Sequence, residues 1–158
     1  MKPRIELICV GSELLSGRVN THQSYLSVSL LKASLSLSRE SSLPDSIKAI
    51  KEEIAAALKR CDVLLISGGL GPTFDDVTRE AVAAALKRLL IYRPEIYARI
   101  EKKFARYRLP VPEENKRQAF VIEGAEVLEN KQGSAPGQLL SIRRASKPSS
   151  RRRSGSIA

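Results

Sequence analysis

The segment Gly68-Gly69-Leu70-Gly71-Pro72-Thr73-Phe74-Asp75-Asp76-Val77-Thr78-Arg79-Glu80 gathers residue types suited to holding an oxyanion. Glycines allow positive φ and let a ligand come close to the backbone. A helix predicted to begin at Asp75 or Asp76, and to run to about Leu86, points free N–H groups and the positive end of its dipole into the same space. Thr73 adds a hydroxyl donor. Lys followed by Ser or Thr is missing, so this is no Walker A loop, and the spacing is not GxGxxG. Asp75 and Asp76 repel a phosphate unless a cation stands between them. A divalent metal would bridge carboxylate and phosphate oxygens and could activate water. The plainer reading is helix capping, with Thr73 or Asp75 as N-cap and Asp76 favouring the dipole. The segment alone leaves both readings open.

A second stretch, Gly11-Ser12-Glu13-Leu14-Leu15-Ser16-Gly17-Arg18-Val19-Asn20-Thr21, offers Glu13, Asn20 and Thr21 to a ribose, a base or a pterin edge. Its plain reading is a loop with Asn20 or Thr21 capping the next helix. Asp45, after Leu43-Pro44, can reach the same edge or cap a helix. His22 is the only histidine, so one chain holds no His-based triad and no multi-His metal site. Cys9 and Cys61 form no CxxC and read as buried thiols of a cytoplasmic protein.

These residues need a scaffold that brings them to one edge. Residues 4–10 and 62–67 read as strands, the second nearly all apolar and therefore covered on both faces. Residues 20–31 and 47–59 have helical apolar spacing, and 33–42 alternates with a period of two. Pro94 opens a further helix through about Tyr107. Residues 113–119 read as a short helix, and 120–122 and 126–128 as short extended pieces. Strands alternating with helices imply right-handed βαβ units and a mainly parallel sheet, with both functional stretches at its carboxyl edge.

The chain has 158 residues, the length of one ordinary domain. No window approaches 18 consecutive apolar residues, which argues against a membrane partner. Its net charge of +10 resembles a nucleic-acid signal, but six basic residues and six serines, and no acid, fall within 139–158. That segment reads as a disordered tail, and the rest carries only about +4. Aromatic residues are 4% with no Trp, which argues against stacking on single strands. Binding of nucleic acid through the basic tail is the weakest of three functional readings.

In order, GSELLSGRVNTH, LPDS, ISGGLGPTFDDVTREAVAAAL, PEENKRQAF and GSAPGQ resemble the N-terminal domain of the CinA (competence/damage-inducible) family, within the wider MoaB/Mog-like molybdopterin-binding fold. The resemblance covers about residues 4–138. It implies a three-layer α/β/α domain over 1–138, with a mostly parallel central sheet, and a pocket for a pterin or a nucleotide diphosphate. It implies substrate-binding roles for Glu13, Asn20, Thr21, Gly68, Gly69, Gly71 and Thr73. Asn115 and Arg117 join them from the NxRQA stretch, and Ser134, Ala135 and Gly137 from the Gly-Thr-Ala-Pro-Gly loop. Catalytic roles fall to Asp76 and Asp45, and a divalent metal to Asp75 and Asp76. In the CinA branch the domain is associated with metal-dependent hydrolysis of ADP-ribose to AMP and ribose 5-phosphate; relatives form homo-oligomers. The alternative is a module that binds molybdopterin or a nucleotide without turnover. Residues 139–158 match nothing in the family, whose last strands and Pro-Gly-x-Pro-x-Glu loop are therefore expected to be missing. So is the amidase domain of full-length relatives. A frameshift near residues 138–143 would account for the tail, and translating the other reading frames tests this.

Overall fold

The computed structural model describes residues 2–17, 21–130 and 133–142, with backbone only at Thr21 and His22. Strand β1, Ile5–Val10, is buried along its whole length. It lies between β2, Leu37–Leu43, and β3, Val63–Ser67, in a parallel sheet of order β2-β1-β3. A short helix α1, Ser12–Leu15, stands where the sequence reading had a loop, and α2 follows over Thr21–Lys32. Helix α3, Ile47–Arg60, carries the chain from β2 past β1 to β3.

The two crossovers run in opposite directions across the sheet. Right-handed connections then place α2 and α3 on opposite faces, which makes three layers. The core follows the pleat. Ile8 and Val10 of β1 pack with Ile50 and Ile54 of α3 and with Ala81. Alternation sends Ile5, Leu7 and Cys9 to the other face, where α2 touches β1 and β2. Glu6, only 6% exposed, is neutralised at the amino end of the sheet by Arg60, whose Nε donates to both of its carboxylate oxygens at 2.9 and 3.0 Å.

Helix α4, Thr78–Leu86, begins two residues later than the position read at Asp76, because Asp76 is drawn into the preceding turn. Its N-cap is Val77, with no side-chain cap, so neither Thr73 nor Asp75 caps it. The chain then leaves the parallel sheet. Strand β4, Leu90–Tyr92, pairs antiparallel with β5, Phe120–Ile122, and β6, Glu126–Leu128, with β7, Gly137–Leu139. Between β4 and β5 lie α5, Pro94–Ala105, and a 3-10 helix, Glu113–Ala119. Ile96, Ile100, Ala119 and Val121 form a second core there. β4 has no counterpart in the sequence reading: it is too short for periodicity to show. β7 ends at Leu139, so the boundary drawn at residue 138 falls inside a strand. Residues 143–158, most of the expected tail, lie outside the described residues, as does Asn20.

Candidate functional site

Parallel strands deliver their carboxyl ends to one edge, and here β1 and β3 stop side by side, Cys9 opposite Ser67. Gly11 follows one strand and Gly68 the other. Between them opens a groove of about 600 Å³, lined by Glu13, Asp45, Gly68, Gly69, Asp75 and Asp76 among others. Six residues drawn from three separate stretches of sequence thus meet at one place.

The glycine turn is fixed by its geometry. Gly68 has φ +99° and Gly69 φ +60°. A β-carbon at Gly68 would run into the Val10 carbonyl oxygen of the neighbouring strand. Thr78, at the start of α4, donates its hydroxyl to the Gly68 carbonyl at 2.9 Å. Gly71 lacks room for another reason: a β-carbon there would lie 2.5 Å from Asp76 Oδ2.

Asp76 organises the next residues. Its Oδ2 accepts from the Thr73 N–H at 2.9 Å and from the Thr73 hydroxyl at 2.5 Å. Burial works against its ionisation. The Thr73 hydroxyl, the backbone N–H groups of Gly71 and Thr73, and the positive charge of Arg79 outweigh that and hold its carboxyl below the ordinary value of 3.8. Because the folded value is the lower one, the ionised carboxylate stabilises the fold fully above the unfolded value. That stabilisation is lost as pH falls through the folded value. Urea unfolding from pH 6 down to pH 2.5 should therefore show the stability gap between wild type and Asp76→Asn narrowing below about pH 4. A gap independent of pH would refute the assignment.

Asp45 lines the same groove. Ser46, not Asp45, caps α3: its side chain accepts from the Ala49 N–H at 3.4 Å. Asp45 is released to take the Ser12 N–H at 2.8 Å and hydroxyl at 2.9 Å, both on Oδ2. Asp45 and Asp76 share one pattern: one carboxylate oxygen is held by a backbone N–H and a hydroxyl.

Two arginines brace the turn from behind. Arg79 is 3% exposed and donates to the carbonyls of Leu70 at 2.8 Å and Gly71 at 3.2 Å. Burial lowers its pKa. Arg117, from the 3-10 helix, donates to the Thr73 carbonyl, to the Asp76 carbonyl at 3.1 Å and to Glu80 Oε1 at 2.9 Å. Arg79 Nε and Glu80 Oε2 are buried without hydrogen-bond partners among the described residues. Arg79→Ala would strip the donors from two turn carbonyls, and about 2–4 kcal/mol of stability should be lost in urea denaturation. A loss within 0.5 kcal/mol of zero, roughly the range of ordinary surface substitutions, would contradict the bracing role.

The structure does not bring every expected residue to this groove. Thr73 and Gly71 shape the turn through Asp76. Arg117 holds the outside of that turn. Asn115 is buried and donates to Gln118 at 3.0 Å within its own helix. Ser134, Ala135 and Gly137 lie with the β6–β7 pair: Ser134 faces α5, Ala135 accepts from Asn130 at 2.9 Å and Gly137 pairs with Leu128. Thr21 begins α2, and Asn20 lies outside the described residues.

Ser12, Thr78 and Arg79 escaped the sequence reading. Arg79 carried a usable signal, since a cation in the first turn of a helix opposes the dipole and needs another reason to be there.

An open α/β domain whose glycine turn and oriented carboxylates meet at a parallel sheet's carboxyl edge has its candidate crevice where folds of this class place their ligands. More narrowly, residues 6–148 match the family model described as a probable molybdopterin binding domain, and the chain belongs to that family. It is 44% identical over 135 residues to the CinA-like protein of Pseudothermotoga lettingae, covering 85% of this chain and 33% of that protein. The CinA-like protein of Thermotoga maritima is 42% identical over 137 residues, covering 86% and 34%. The chain thus spans about a third of the length of these curated relatives. The crystal structure of CinA from Thermoplasma acidophilum, whose function is described as unknown, superposes with a TM-score of 0.80 at 29% identity, over 89% of this chain and 83% of that one. The Mog protein of Mycobacterium ulcerans, at 19% identity and TM-score 0.50 over 76% and 81%, shares the fold. The MoaB/Mog-like α/β architecture expected from the sequence motifs is the one observed.

Proposed function

We propose that the groove between β1 and β3 binds the diphosphate of a nucleotide or pterin and hydrolyses a phosphoanhydride bond, as in ADP-ribose cleavage. The observation that carries the reading is the meeting of Glu13, Asp45, Asp75 and Asp76 with the open backbone at Gly68 and Gly69. Glycine backbone at a strand end invites an oxyanion. Carboxylates in the same groove would repel that anion alone, and become an asset once a divalent cation shares it. No group of three or more His, Cys, Asp or Glu among the described residues could by itself hold a metal. The donor set fits an oxygen-seeking cation of the magnesium type, which takes one or two carboxylates, several waters and the substrate's own phosphates.

Asp76 and Asp45 would hold the cation, with Asp75 alongside. When bound, it would polarise a phosphoryl oxygen and lower the pKa of water. The chain's own part is positional. Hydrogen bonds from Thr73 and Ser12 fix the two carboxylates before ligand arrives, so little ordering cost remains. Arg79 and Arg117 keep the turn from yielding to the charge it receives. Hydrolysis adds one water across the P–O–P bridge: its oxygen joins one phosphorus, and the bridging oxygen leaves with the other.

The test is a hydrolysis assay on ADP-ribose with and without magnesium or manganese. Formation of AMP and ribose 5-phosphate only with metal is the expected result. No turnover with any divalent metal, together with calorimetric binding of ADP-ribose or of a pterin, would replace this reading with that of a binding module. The absence of a self-sufficient metal cluster among the described residues is what keeps the second reading in view.

A further inference from the structure

Away from the glycine turn, a second groove of about 640 Å³ runs between α5 and the β6–β7 pair, and it shares no lining residue with the first. Its volume is that of a small-molecule site. Arg99, Lys102, Lys103 and Arg106 line it. Lys102, Lys103 and Arg106, the C-cap of α5, follow Arg99 by three, four and seven residues with helical backbone, so the four stand on one face and span about 10 Å.

Lys103 is committed to the wall. Its ammonium donates to the carbonyls of Asn130 at 3.1 Å and Gly133 at 2.5 Å, tying the helix to the β6–β7 connection. Arg99, Lys102 and Arg106 form no ion pair among the described residues. Glu129 is the single acid among the lining residues. Basic side chains on a surface helix normally alternate with acids that neutralise them. Here the face is left with an excess of positive charge, directed into a concave space.

The floor has a different character. Val127 and Pro136, both half-buried, offer an apolar surface beside the cations, backed by Ile96 and Ile100 of the second core, 4% and 2% exposed. An apolar floor under a cationic rim fits a ligand with an apolar body and an anionic head. Guanidinium groups fit phosphate oxygens in pairs, whereas a lysine supplies a point charge. The charged stretch is too short to track a nucleic-acid backbone over several phosphates, and the chain has no Trp for stacking bases.

We propose that this groove is a second binding site, for a small organic phosphate whose apolar part rests on Val127 and Pro136, over the buried Ile96 and Ile100, and whose phosphate meets Arg99, Lys102 and Arg106. It is independent of the reading given to the glycine turn.

1-Naphthyl phosphate is a suitable probe, because its own fluorescence reports binding. The expected result is saturable binding at one site, weakened about tenfold or more in Arg99→Gln/Arg106→Gln and progressively by salt. These side chains are exposed, and matching thermal melts would confirm that the variant is folded. Asp76→Asn should bind the probe as wild type does. 1-Naphthol and inorganic phosphate should each bind at least about tenfold more weakly than the whole molecule.

Undetectable binding, binding indifferent to the two arginines, or binding lost in Asp76→Asn would each overturn the proposal. Inorganic phosphate as tight as the probe would remove the apolar floor from it. An Asp- and Glu-rich peptide that binds this face more tightly than the probe would turn the groove into a protein-docking surface instead.

Discussion

Gly68→Ala is expected to destabilise the domain by on the order of 3 kcal/mol, the largest effect of any single methyl group added here. Two costs combine. The backbone at φ +99° disfavours any side chain, by about 1–2 kcal/mol for an ordinary residue forced into a left-handed conformation. The added carbon also meets the Val10 carbonyl oxygen, a backbone atom of the central strand that cannot swing aside. Relief requires β1 and β3 to separate at the edge where they flank the groove. A domain with about 5–15 kcal/mol of total stability would keep its fold with a reduced margin. Urea denaturation of both proteins gives the value directly, and a shift below about 1 kcal/mol would show that the turn is softer than its geometry implies. Gly17 is an internal comparison: it also has positive φ, +90°, yet a β-carbon there meets nothing within 4 Å among the described residues. Gly17→Ala should show the conformational cost without the collision.

Asp76→Asn should reduce metal-dependent hydrolysis of ADP-ribose by about a hundredfold or more, the scale typical of a lost electrostatic contact to a developing charge. The structure makes this substitution informative because an amide can keep the local hydrogen bonds. The Thr73 N–H and hydroxyl both donate to Asp76 Oδ2, and an asparagine carbonyl accepts in the same way. The negative charge is lost while the turn persists, so Asp76→Asn should lose far more activity than the modest stability it gives up at neutral pH. Asp76→Ala should give up more stability as well, since Thr73 then loses its acceptor. The measurements are turnover at saturating metal and the urea midpoint at neutral pH. Wild-type rates in Asp76→Asn would remove Asp76 from the reaction. Equal loss of activity and of folding in the two variants would show that the residue acts through the turn alone.

The glycine turn, the strand before it and the acids after it were legible in the sequence, because their causes are local. An unbroken apolar run names a buried strand, and glycines after it mark a turn that needs positive φ. The order of motifs likewise led to the family and its architecture. The ends of elements were less legible. Asp76 reads equally as the start of a helix and as part of the turn, and the choice depends on where the Thr73 hydroxyl points. Asp45 and Ser46 are both good caps in sequence; Ser46 took the helix because Ser12, from another strand end, captured Asp45.

What the sequence by itself determined, then, was chemistry carried by neighbours along the chain: the phosphate-suited turn, the pair of aspartates, the alternation of strands and helices. Only the tertiary structure decided which distant residues share a groove. Crossovers on opposite faces of the sheet placed β1 between β2 and β3, and this brought Glu13 and Asp45 to the glycine turn. The β6–β7 pair carried Ser134 and Pro136, in its connection, to the basic face of α5. The reason is physical: local spacing fixes conformation, but proximity across tens of residues comes from burying apolar faces against one another, and many sequences of contacts satisfy the same local pattern.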